Sequence, residues 1–261
     1  WILDDTRAIA EWADANAPVT VFSVPTGTLM VYKKDTSYRG QADYLGKNPV
    51  DGVEITYKLA SGGSATLAIT HPNGDVIREI SVPGGSGVHR VNWDLRHSTG
   101  SGSETWAAWD NPELARPIGN RGAWVTPGVY TATVSANGSS NSTHFTVRGD
   151  PEMPQITQDM YDARERFMLE AQALTAEIQA YMRENGMGGG GGRGFGRGGG
   201  PPIDTPQGKL TAAMRAVGGA YSSLNGGQVR GGTLYPPTTT HRQQFHLAKS
   251  LFDEVRGGMD R

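Results

Sequence analysis

The chain has 261 residues, with 24 Lys and Arg against 26 Asp and Glu, a net charge of −2 and an isoelectric point near 6.3. No overall field therefore draws it to nucleic acid or to an anionic membrane surface. It contains no cysteine, which excludes disulfides and thiolate metal sites, and no apolar run long enough to span a bilayer.

The first residues, Trp1-Ile2-Leu3 followed at once by Asp4-Asp5, read as a strand cut from something larger, and the chain as a fragment or processed product. Between Pro18 and Lys34 two β-rich runs, VTVFSV and TLMVYKK, are split by Pro25-Thr26-Gly27. A polar loop from Asp35 to Pro49 follows, after which the alternation becomes regular. Val53, Ile55, Tyr57 and Leu59 point one way, and Glu54, Thr56 and Lys58 the other. Ala65, Leu67 and Ile69 repeat the pattern, and Pro72-Asn73-Gly74-Asp75 predicts a hairpin turn before Val76 to Val82. Val91, Trp93 and Leu95 alternate with Asn92, Asp94 and Arg96. The runs 128–136 and 143–148 close the series around a turn from Asn137 to Asn141. Short alternating strands at this spacing predict an antiparallel β-sandwich with Trp93 as its core anchor. The interruption from His97 to Ala123 is a long loop; its Trp106 and Trp109, with Trp124 just beyond it, either cover an open end of the sandwich or bind sugar or a partner.

The second half is helical. From Ile156 to Glu184, apolar residues at Met160, Phe167, Ala171, Leu174, Ile178 and Tyr181 draw one stripe, with Arg164 the charged interruption. Thr157 is the expected cap and Asn185-Gly186 the expected stop. After a glycine-rich loop (186–202), Thr205-Pro206 starts a second helix carrying Leu210, Met214, Val217, Tyr221 and Leu224. Thr240 and Gln243 match a capping box for a third, with Phe245, Ala248, Phe252 and Val255. The expected class is thus α+β: an Ig-like or fibronectin-like antiparallel β-sandwich followed by a three-helix antiparallel bundle. The expected division is residues 1–17 as a lead-in, 18–149 as the sandwich and 150–261 as the helical domain.

Chemistry is sparse. Histidines 71, 89, 97, 144, 241 and 246 show no metal-type spacing and read as surface residues. No nucleophile elbow, phosphate loop or dinucleotide fingerprint occurs, so no catalytic, cofactor-binding or metal residue is assigned and no cofactor is expected. The glycine tract around Arg193, Phe195 and Arg197 resembles RNA-contacting RGG segments. Two arginines are few for that role, and a connector is the plainer reading. Phe195 between two arginines is the candidate anchor to another protein surface. Asn137-Gly138-Ser139 and Asn141-Ser142-Thr143 fit the glycosylation sequon.

Taken in order, WILDD, GKNPVDGVEITYKL, GVHRVNWDLR, TPGVYTATVSANG, the long helix and SLNGGQVRGGTLYPPTTTHRQQF resemble the C-terminal region of bacterial sortilin-like proteins. These are secreted proteins with BNR-type β-propellers, often labelled glycosyl hydrolases. The resemblance implies that Trp1 to Asp5 is the last propeller strand, and that the protein is secreted, periplasmic or at the cell surface. The Asp-box repeats are not in this chain, so no hydrolase site carries over. The expected function is a non-catalytic structural or interaction module that supports attachment or assembly, its partner the propeller or another protein subunit. The alternative is an accessory part of a glycoside-processing enzyme, with Trp106 and Trp109 lining a carbohydrate site. No nucleic-acid partner and no membrane span are expected.

Overall fold

The computed structural model describes residues 5–31, 52–99, 104–105, 122–187, 201–226 and 231–259. The chain forms two compact units, Trp1–Tyr161 and Asp162–Arg261.

The first unit opens with a short helix α1 (Arg7–Ala10) and a 3-10 turn (Trp12–Asp14). Among the described residues nine strands follow: β1 (Val19–Val21), β2 (Gly27–Thr28), β3 (Val53–Leu59), β4 (Ala65–Thr70), β5 (Val76–Val82), β6 (Gly87–Trp93), β7 (Glu104–Thr105), β8 (Gly128–Ala136) and β9 (Ser139–Arg148). They make a three-stranded sheet, β1-β3-β6, and a six-stranded sheet, β2-β9-β8-β4-β5-β7. The alternation read from sequence places the inward residues correctly. Val53, Ile55, Tyr57, Leu67, Ile69, Val91, Trp93, Leu95, Tyr130 and Val134 are all buried. Trp93 meets Phe145 edge-on at 5.9 Å between ring centroids and Tyr130 at 5.4 Å.

The architecture differs from the expected antiparallel sandwich. β2 runs parallel to β9 and β5 parallel to β7, so the larger sheet is mixed. The sheets also curl towards one another as a half-barrel rather than lying as two flat layers. One polar contact at the curl is local: the Val21 N–H, on edge strand β1, donates to Asn141 Oδ1 of β9 at 2.8 Å. The β8–β9 turn is tighter than expected. Asn137 (φ 51) and Gly138 (φ 76) form a two-residue turn, and pairing resumes at Ser139 rather than beyond Asn141. Successive left-handed residues match the twist of the flanking strands, and Asn-Gly is the pair that adopts them at least cost.

The second unit carries most of α2 (Gln158–Glu184), together with α3 (Pro206–Asn225) and α4 (Thr239–Met259). Thr157 offers its carbonyl to the Met160 and Tyr161 N–H groups at the start of α2. At its end Gly186 (φ 66) and Met187 donate back to the carbonyls of Arg183 and Met182, the paired bonds of a Schellman stop. Thr205 Oγ1 accepts from the Gly208 N–H at 3.0 Å, with Pro206 at the first position of α3. Ala171, Leu174 and Ile178 of α2 share an apolar cluster with Leu210, Ala213 and Val217 of α3 and Ala248, Phe252 and Val255 of α4. The expected three-helix antiparallel bundle after an Ig sandwich does not form. α3 and α4 approach closely, while the α2 backbone stays farther off. Small residues such as Ala213 and Ala248 admit close backbone approach, whereas Phe167, Met168, Leu174 and Ile178 along α2 are bulky. The class is mixed α/β: two sheets and an α3–α4 hairpin joined through α2.

Candidate functional site

Two constellations of polar side chains stand out, one in each unit. In the first, Leu95 holds a left-handed backbone (φ 56) just past the end of β6. A branched residue there costs about 1–2 kcal/mol, offset by the burial of its side chain. The reversal turns the Arg96 carbonyl inward, where it accepts from Trp93 Nε1 at 3.0 Å and from Arg78 Nη1 at 3.4 Å. Arg78 also pairs with Asp94. Arg96 itself is 3 % exposed, donates through Nη1 to the Gly122 carbonyl at 3.0 Å, and lies 4.5 Å over the Trp124 ring. An antiparallel bridge between Arg96 and Trp124, with Val125 N–H to Leu95 O at 3.0 Å and His97 N–H to Ala123 O at 2.9 Å, ties the segment together. His71 stands 6.1 Å from His97 and 5.4 Å from Tyr130, ring to ring. His97 is buried, which corrects the expectation of a surface histidine.

This cluster braces the backbone. Guanidinium groups keep their charge and offer no acceptor for a proton, and the Tyr130 hydroxyl donates to the Thr126 carbonyl at 2.7 Å. Tyr57 behaves alike: burial pushes its phenol well above the ordinary range, so it stays a neutral donor to the Pro83 carbonyl at 2.5 Å.

In the second unit, Ser223 Oγ lies 2.9 Å from His241 Nε2, the separation of a nucleophile and its base. The proton inventory argues otherwise. The Thr238 backbone N–H donates to His241 Nδ1 at 3.1 Å, and a backbone N–H only donates. Nδ1 therefore presents its lone pair, and the neutral ring carries its hydrogen on Nε2. Nε2 then donates to Ser223, whose own hydrogen reaches the Ala220 carbonyl at 2.8 Å. A base that activates serine needs the opposite tautomer. The same contacts relocate the cap of α4: Thr238 and His241 make it, since the His241 N–H also points to Thr238 Oγ1 at 3.4 Å. The expected Thr240–Gln243 box is displaced by two residues, because histidine at the third helical position accepts as Glu or Gln would. The spacing Thr-x-x-His was the signal available in the sequence.

Among the described residues no group of three or more His, Asp or Glu is placed to hold a metal ion. Trp106, Trp109, Arg193, Phe195 and Arg197 lie outside the described residues. The two sequon asparagines are already engaged. Asn137 Nδ2 donates to Ser61 Oγ at 3.2 Å and to the Gly62 carbonyl at 3.1 Å, and Asn141 accepts from Val21. No protein-family model matches the chain, and comparison with curated proteins yields no match.

Proposed function

We propose that this chain acts as a non-catalytic structural and interaction module of a secreted, sortilin-like β-propeller protein, supporting its attachment or assembly. The observation that carries this reading is the way buried cations are used. Arg96 donates to the Gly122 carbonyl, Arg78 to the Arg96 carbonyl, and Arg164 to those of Leu224 and Thr233. Each of these cations holds loop backbone in place, Arg78 with the Asp94 carboxylate as its counter-charge. The ordered motifs from WILDD to the last helix supply the link to the propeller family. Ile9 and Trp12, 64 % and 48 % exposed near the start of the first unit, offer an apolar pair for a protein partner.

The test is in two parts. The purified chain should hydrolyse no glycoside, peptide or ester, and it should bind a separately produced propeller region of the parent protein in solution. Ile9→Ser combined with Trp12→Ser should weaken that binding. Sustained turnover, lost on changing one carboxylate or histidine, would overturn the reading; so would failure to bind the propeller.

A further inference from the structure

The contacts of His241 run in one direction: Thr238 N–H to Nδ1, Nε2–H to Ser223, and Ser223 O–H to the Ala220 carbonyl. The first residue precedes α4, and the last two lie in the final turns of α3. Every donor is matched to an acceptor only while the imidazole is neutral. A proton added to the ring can go only to Nδ1, where the new N–H would face the Thr238 N–H, donor against donor. It would also place a cation in the first turn of α4, where the helix dipole disfavours positive charge.

We propose that Thr238, His241 and Ser223 form an acid-released clasp, which ties the start of α4 to the end of α3 and opens when His241 takes up a proton. The charged groups on the packed elements do not favour the imidazolium. Arg242, next on α4, is cationic, and so is Arg164 of α2, which holds the Leu224 carbonyl beside Ser223. Asp162 and Glu165 of α2 are the nearby carboxylates of the packed helix, and each is already engaged in contacts of its own. Burial further lowers the His241 pKa from its ordinary 6.5. With the folded value below the unfolded one, the clasp contributes in full above pH 6.5 and is lost as the pH falls through the folded value. The device is independent of the proposed function and concerns the helical unit alone.

His241→Gln is the informative variant, since glutamine at the third helical position still accepts from the capping N–H but does not titrate. Amide exchange at Thr238, followed by NMR from about pH 8 to about pH 5, reads the clasp directly. In the parent, protection should fall by up to about tenfold per pH unit below 6.5, tracking the His241 ring titration. In the variant it should stay level. Loss of protection with the same midpoint in both proteins, or protection that survives His241 protonation in the parent, overturns the proposal. Ring nitrogen shifts of the parent give a check that needs no variant: a neutral tautomer protonated at Nδ1 would be equally fatal.

Discussion

The guanidinium of Arg164, 2 % exposed within α2, donates through Nε to the carbonyl oxygen of Thr233 at 2.7 Å. Its Nη2 reaches the Leu224 carbonyl at 3.1 Å, the same oxygen that accepts the Thr233 N–H at 3.0 Å. One side chain thus binds the last turn of α3 to the chain that leaves it. Arg164→Met should cost the helical unit about 3 kcal/mol, because hydrogen bonds from a buried charge are worth about 1.5–3 kcal/mol each and only the Leu224 carbonyl keeps a second donor, the Thr233 N–H. Arg164→Lys should recover only part of this, since an ammonium lacks the fork that serves two carbonyls. Urea unfolding of both variants checks the order.

Trp93 is fully buried, with its indole N–H on the Arg96 carbonyl. Trp93→Ala should destabilise the β unit by about 3–5 kcal/mol. Trp93→Phe keeps an aromatic ring against Phe145 and should lose less. A Trp93→Ala midpoint equal to the parent's in denaturant would show that the core is wrongly assigned.

Two glycines separate backbone strain from steric exclusion. Gly74 (φ 94) has open space where a Cβ would stand, so Gly74→Ala should cost only the strain, about 1–2 kcal/mol. Gly52 (φ 105) would place that Cβ 1.9 Å from the Trp93 carbonyl oxygen. Gly52→Ala should be clearly the more damaging in thermal unfolding, and equal melting temperatures would contradict the β3–β6 register.

Asn141→Ala removes the acceptor for the Val21 N–H and should cost about 1 kcal/mol. The effect should be local: faster hydrogen exchange at Val21, with the β8–β9 amides unchanged. Uniform loosening of the sheet would mean that the curl depends on this bond far more than one hydrogen bond allows.

Strands with one buried face were legible because period-two alternation is a local property, and Val53 to Leu59 pairs with Gly87 to Trp93 as that pattern demands. Helix ends followed local chemistry too, as at Thr205 and Gly186. What escaped was decided by distant partners. The parallel pairing of β2 with β9 has no signature in Gly27-Thr28, and Asn141, which reads in the sequence as part of a sequon, instead holds the Val21 N–H of β1. Arg164 read as a flaw in an apolar stripe because its partners are carbonyl oxygens, which no residue type announces. His241 lacks metal-type spacing and so reads as a surface histidine, whereas its ring takes the place of a capping glutamine.

The pairing of β2 with β9 and the hook from Val21 to Asn141 each join residues about 120 positions apart. Loop closure over such a span is slow, since the entropy of joining the ends is lost before the contacts form. The α3–α4 hairpin needs only neighbours. During synthesis β1 and β2 emerge well before β9 and wait for it before their outer contacts can be made. The α3–α4 hairpin can form from its own neighbours, whereas the β unit must hold its first strands open for a partner far along the chain, and so takes the slower step of the two.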